Sequence, residues 1–134
     1  MVLEYGVIRC GTSKELFPRI EKLTKELKER VDQYNPDVAV LEQVFFAKNA
    51  KSALVLGQAR GAILSVLSGR ELQLIELSPK EIKLSVTGTG SADKDQVAMM
   101  MQKHLSLLEL PTPSDAADAL AMAWVGASKK GNLF

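Results

Sequence analysis

The segment DVAVLEQVFFAKNAKSALVLGQARG, residues 37–61, decides the fold class. Its first six residues are a short apolar run rich in valine, which predicts a strand covered on both faces. Residues 50–69 then carry apolar side chains at helical spacing and end in glycine, which predicts a helix. The strand ends in a carboxylate, Glu42, with Phe45 and Phe46 close behind, whereas a core strand is expected to end in turn residues. This mismatch indicates a functional position.

The sequence on either side predicts further strands and helices in alternation. Residues 2–10 and 71–77 alternate as strands do, and apolar residues recur at helical spacing elsewhere. Pro79 suits the first turn of a helix. The predicted order is strand 2–10, helix 16–34, strand 37–42, helix 50–69, strand 71–77, helix 79–86, a helix within 87–108 and helix 114–128. This order indicates an α/β fold with a small, mainly parallel sheet.

The composition is that of a soluble globular protein. The chain has 134 residues, of which 46% are apolar and 25% charged, so a single domain over residues 1–134 is expected. The sequence shows neither a membrane span nor a signal peptide, and a lone cysteine fits a reducing, cytoplasmic setting. Because the net charge is only +1, nucleic-acid binding would require a local basic patch.

Three acids from distant segments are candidate ligands for a cation. Glu42 ends a strand, which is where α/β sheets build their sites, although a solvated strand end fits equally well. Asp115 and Asp118 share a helix face at i,i+3. Acids in a first turn also complement the helix dipole, but these two lie in a segment otherwise made for packing. Together the three carboxylates suit a hard divalent cation such as magnesium, and two such ions can cleave a phosphodiester.

A glycine loop and two lysines are candidate contacts for phosphate. Residues 88–94 present backbone amides at a helix start, which is typical of an anion site, and a flexible loop is the alternative. Lys83 and Lys94 flank this loop, although surface lysines are usually only solvated. Phe45 either joins the core or stacks on an unpaired base.

Three segments in this order resemble the bacterial RuvC Holliday-junction resolvases: LEQVFFAKNAKSALVLGQARG, TGTGSADKDQV and SDAADALAMA. The resemblance runs from about residue 3 to residue 125. It implies a ribonuclease-H-like fold with a mixed sheet flanked by helices. It also implies a magnesium-dependent endodeoxyribonuclease, with manganese as a substitute, that works as a homodimer. Such an enzyme resolves four-way DNA junctions by paired nicks during recombination and repair, and a branch-migration complex is an implied partner.

The resemblance implies a role for six side chains. The acids that match metal ligands, and so the catalytic residues, are Glu42, Asp115 and Asp118. The residues that match DNA contacts are Phe45, which would face unpaired bases, and Lys83 and Lys94, which would face the scissile phosphates.

The chain departs from the family at its start. The family begins with a strand reading Gly-x-Asp-Pro-Gly, whose aspartate is the first metal ligand, and this motif does not occur here. Residues 2–10 resemble the second or third strand of the family, so the first one or two strands are expected to be missing. One alternative is an N-terminally incomplete form of a normal resolvase. The other is a junction-binding module without catalysis.

The resemblance implies a dimer that forms through helices. The helix over residues 50–69 is the candidate, because Gly57 and Gly61 share one of its faces at i,i+4. Two glycines at this spacing permit close approach of another helix, either within the fold or between subunits.

Overall fold

The computed structural model describes residues 1–43 and 48–130. Its elements are α1 (Leu16–Tyr34), β1 (Val38–Glu42), α2 (Ala50–Leu67), β2 (Gln73–Leu77), α3 (Pro79–Thr87), α4 (Lys94–Leu105) and α5 (Ser114–Lys129). The five predicted helices and two of the three predicted strands are confirmed. None of the helices in the described ranges is both long and apolar enough to span a membrane.

The predicted strand over residues 2–10 is wrong, because this segment forms neither helix nor strand. A strand exists only when its N–H and C=O groups pair with those of a neighbour. In the described part of the chain, the sheet has two strands, β1 and β2, that pair with each other. The alternating apolar residues Leu3, Tyr5 and Val7 remain exposed instead of packing on a core.

Contacts divide the chain into two compact units. Unit 1 comprises Met1–Val7, Val38–Gln43 and the described residues from Leu74 onward. Unit 2 comprises Ile8–Asp37 and the described residues 48–73. A single domain over residues 1–134 stays a prediction.

Unit 1 holds the main hydrophobic core, in which α3, α4 and α5 pack together and α5 lies against β1. The core is built by Leu77, Ile82, Val86, Ala92, Val97, Met101, Ala121 and Val125. The His104 ring stacks on the Trp124 ring at 4.6 Å between centroids. Its Nε2 lies 3.2 Å from the Val86 carbonyl oxygen, so His104 ties α3, α4 and α5 together.

A glycine allows α5 to approach β1 closely. A Cβ atom added to Gly126 would lie 2.3 Å from Cγ2 of Val40, which is closer than real Cβ contacts ever come. Every larger residue at this position therefore pushes the helix away from the strand. Gly126 sets the distance between the elements that carry the candidate acids.

Unit 2 is built mainly from α1 and α2, which pack on each other. Asn35 ends α1 in the left-handed conformation at φ 42°, with its amide donating to the Val31 carbonyl. Arg70 donates to a carboxylate oxygen of Asp32 at 2.6 Å and also to the Val66 carbonyl. These contacts connect the ends of the two helices.

Candidate functional site

Glu42 stands at the carboxyl end of β1 and is exposed. The backbone amide of the next residue, Gln43, donates to the Leu77 carbonyl at 2.8 Å, so β2 supports the strand up to its end. Val38 to Leu41 are partly buried, and the change to an exposed carboxylate occurs at Glu42 alone. The strand thus presents this side chain from a fixed backbone.

Asp115 and Asp118 lie in the first turns of α5. The opposite side of the helix is buried through small and apolar residues, namely Ala116, Ala117, Leu120, Ala121, Val125 and Gly126. Because this side packs on the core, the two carboxylates are directed away from it: Asp115 is exposed and Asp118 is half-buried. The prediction that the two acids lie three residues apart on one helix is confirmed.

Lys83 and Lys94 come from the two neighbouring helices. Lys83 lies in α3, whose start is stabilised by a capping box between Ser78 and Glu81. Lys94 is the first residue of α4, directly after the N-cap Asp93. The Asp93 carboxylate accepts a hydrogen bond from the Gln96 amide, so this helix start already holds an anion of its own. The capping carboxylate weakens the interpretation of loop 88–94 as a separate phosphate site, because it uses the same amides.

These charged side chains line one pocket of about 280 Å³ within unit 1. Its charged residues are Glu42, Lys83, Lys94, Asp115 and Asp118. Its apolar residues are Pro79, Ile82, Val97 and Met122. Five of the six residues singled out in the sequence therefore meet at one place, although they come from segments far apart in the chain.

Within this pocket, Lys94 and Asp118 form an ion pair. The Nζ of Lys94 donates to Oδ2 of Asp118 at 3.0 Å. This hydrogen bond and the negative charge of Asp118 raise the pKa of Lys94 above its ordinary value, burial opposes the rise, and the charges of Asp115 and Glu42 contribute less. The field of all three acids therefore acts on this one ammonium group.

The donor set has the chemistry that a hard divalent cation requires. Glu42, Asp115 and Asp118 supply only carboxylate oxygens, which are the ligands magnesium prefers, and one of them, Asp118, already holds a cationic group, the Lys94 ammonium. Among the described residues, no three acid, histidine or cysteine side chains converge closely enough to hold one ion. The residues thus fit the ion in type and charge, and their convergence on a single ion requires the side chains to move.

Some residues lie outside these observations or were missed in the sequence. Phe45 lies outside the described residues. Gly126 was missed, although a glycine inside a helical pattern signals close packing. Gly57 and Gly61 were expected to permit close approach, yet nothing described lies within 4 Å of a Cβ added at either. The part of that expectation that concerns contacts within the fold is therefore wrong for the described residues.

Comparison with known proteins places the chain in a family. The family model described as crossover junction endodeoxyribonuclease RuvC matches residues 1–125. The chain belongs to this family. The RuvC of Endomicrobium trichonymphae is 43% identical over 121 residues, which cover 90% of this chain and 64% of that protein. The RuvC of Chlorobaculum parvum is 43% identical over 132 residues, which cover 98% of this chain and 71% of that protein.

Solved RuvC structures share the fold. The Thermus thermophilus RuvC structure has a TM-score of 0.78 at 29% identity and covers 90% of this chain and 75% of its own. T. thermophilus RuvC in complex with Holliday junction substrate has a TM-score of 0.87 at 27% identity. The match covers 96% of this chain and 79% of the T. thermophilus chain. The predicted α/β, ribonuclease-H-like fold is thereby confirmed.

Proposed function

We propose that this chain is a metal-dependent endonuclease that resolves four-way DNA junctions by paired nicks in recombination and repair. The observation that carries the proposal is the meeting of Glu42, Asp115 and Asp118 with Lys83 and Lys94 around one pocket. Membership of a family described as crossover junction endodeoxyribonucleases supports the reaction class. The T. thermophilus relative in complex with a Holliday junction substrate supports the choice of DNA.

In this proposal, Glu42, Asp115 and Asp118 hold magnesium, with manganese as a substitute. A bound divalent cation supplies charge stabilisation at the phosphate and lowers the pKa of water. Lys83 and Lys94 attract the phosphates on either side of the reacting bond, since ammonium groups bind phosphate as point charges. The role of Phe45 against unpaired bases is supported by the family resemblance alone.

A homodimer is part of the proposal, because two opposed nicks require two sites. The α2 helix of unit 2 supports this assembly, since Ala50, Ala53, Leu54 and Gly57 line a largely apolar groove on its surface. Within this groove, the apolar residue Leu54 is 65% exposed. Light scattering at micromolar concentration tests the assembly: a monomer would contradict it. A branch-migration complex as partner and a cytoplasmic location are supported by the family and by the composition only.

The experiment that tests the function uses a synthetic four-way junction with magnesium or manganese. We expect the wild-type protein to nick it. We expect Glu42→Gln, Asp115→Asn and Asp118→Asn each to lose at least about 100-fold in rate while still binding the junction, because each change removes a ligand and no phosphate contact. Glu109→Gln is the matched control, because this acid is exposed in the same unit and does not line the pocket.

The outcomes separate the two candidate functions. Junction binding by folded wild-type protein without nicking selects the binding module that lacks catalysis, which is consistent with the absence of a three-acid cluster in the described residues. Binding to plain duplex as tight as to the junction contradicts both candidates.

A further inference from the structure

The Lys94 ammonium in the pocket is paired with a carboxylate that the proposed metal site also uses. Lys94 pairs with Asp118 at 3.0 Å, and the two side chains are 63% and 37% exposed. Glu42 and Asp115 line the same pocket and act on the same ammonium. Lys83 also lines the pocket, but no ion pair joins it to Asp118 among the described residues.

A lysine ammonium and a divalent cation compete for one carboxylate. Each attracts the same oxygen lone pairs, and the two positive charges repel each other within a small pocket. A metal ion that uses Asp118 must therefore displace Lys94 or bind more weakly beside it. Since the Lys94 side chain is 63% exposed, it can swing into solvent at little cost.

We propose that Lys94 is a built-in counter-ion of the pocket, that it holds Asp118 in the metal-free protein, and that its release by metal frees the ammonium for a DNA phosphate. This inference rests on the metal site of the proposed function. Lys94 then acts as a positioning residue, since it controls which cation Asp118 holds.

The proposal has a consequence for the order of binding. A DNA phosphate that draws Lys94 away from Asp118 removes the competitor of the metal. Metal and DNA should therefore tighten each other's binding, and linkage requires the two factors to be equal. The pocket would load its ion preferentially when nucleic acid is present.

Binding of Mn²⁺ alone to the full chain, without DNA, tests the competition. Free Mn²⁺ is measured by electron paramagnetic resonance for wild type, Lys94→Met, Lys94→Arg and Lys83→Met. We expect Lys94→Met to bind Mn²⁺ about fivefold more tightly than wild type, because it removes a neighbouring positive charge. Lys94→Arg keeps that charge and should resemble wild type, and Lys83→Met should stay within about twofold, because no ion pair joins Lys83 to Asp118 among the described residues.

A second measurement tests the coupling. Mn²⁺ affinity is measured again with a four-way junction present. The gain in affinity on adding DNA should be larger for wild type than for Lys94→Met, in which no competitor is left to remove. Circular dichroism confirms that each variant is folded, which is expected because Lys94 is an exposed first residue of α4.

The results distinguish failure of this inference from failure of the proposed function. Equal Mn²⁺ affinity of wild type and Lys94→Met overturns the inference and leaves the metal site in place. Equal tightening by Lys94→Met and Lys83→Met also overturns it, since the effect is then one of general charge. No Mn²⁺ binding by any folded variant overturns both the metal site and the inference.

Discussion

The two units of the chain differ in how completely they bury apolar residues. Unit 1 buries a continuous set of side chains, and Met101 and Ala121 within it are fully inaccessible to solvent. In the described part of unit 2, only Val31 and Leu67 are buried apolar residues, while Phe17 and Leu54 are largely exposed. The comparison shows that the candidate site is built on the well-packed unit, where close packing holds side chains in defined positions.

The glycines of the two units make the same contrast in detail. Gly126 of unit 1 is in such close contact with Val40 that no side chain fits. Gly57 and Gly61 of unit 2 have open space where a side chain would be. A glycine in a helix thus serves internal packing in unit 1 and leaves an open surface in unit 2.

The largest expected effect comes from removing a buried side chain. Met101→Ala in unit 1 should lower the free energy of unfolding by about 2–5 kcal/mol, because it leaves a cavity at a position with no solvent exposure. The matched change Phe17→Ala in unit 2 removes a side chain that is 75% exposed and should cost about 0.5 kcal/mol or less. Urea unfolding of both variants measures the difference, and equal losses would show that the contrast between the units does not hold.

A smaller effect is expected from the glycine pair. Gly126→Ala should lower the free energy of unfolding by about 1–3 kcal/mol, because the new methyl group overlaps Val40. It should also weaken Mn²⁺ binding, since it moves Asp115 and Asp118 on α5 relative to Glu42 on β1.

Gly61→Ala is the control for this glycine change, measured in dilute solution by urea unfolding. It should raise the free energy of unfolding by up to about 1 kcal/mol, because alanine favours the helix and nothing described is in its way. Destabilisation of the monomer by Gly61→Ala as large as that by Gly126→Ala would contradict the open face on α2.

The smallest effect concerns the stability of the fold at low pH. One carboxyl group from each unit contributes to it, Glu81 in unit 1 and Asp32 in unit 2. The Ser78 amide holds the pKa of Glu81 below its usual value, with a further contribution from Lys129. Hydrogen bonds from Lys28 and Arg70 do the same for Asp32. A folded-state pKa below the unfolded value adds stability that is present above the unfolded pKa and is lost as pH falls through the folded one.

Both carboxyls should therefore contribute to a loss of stability as the pH falls below about 4, and thermal unfolding across pH 2–6 measures it. Glu81→Gln keeps the hydrogen bond to Ser78 but does not titrate. It should therefore remove the contribution of Glu81 to the loss of stability at low pH. Salt should weaken the part due to Asp32 more, because ion pairs with two cations cause it, the exposed Lys28 and the half-buried Arg70. A pH profile unchanged by either Glu81→Gln or Asp32→Asn would contradict these assignments.

The helices and the candidate acids were predictable from sequence for physical reasons. Helical periodicity over Leu16–Tyr34 and the glycine after residue 68 are local signals, and helices form by local hydrogen bonds. Glu42 stood out because a carboxylate follows an apolar strand, and Asp115 and Asp118 because charges interrupt a small, apolar helix. Their chemical roles stay predictions.

What the sequence by itself determined is the set of helices, the apolar runs that become β1 and β2, and the residue types available for chemistry, because those depend on neighbours along the chain. Only the tertiary structure decided that residues 2–10 form no strand, since pairing needs a partner from elsewhere in the chain. It alone decided that Gly126 sets the approach of α5 to β1. It also decided that Lys94 holds Asp118 across 24 positions of sequence, because the direction of a side chain at long range depends on how helices pack.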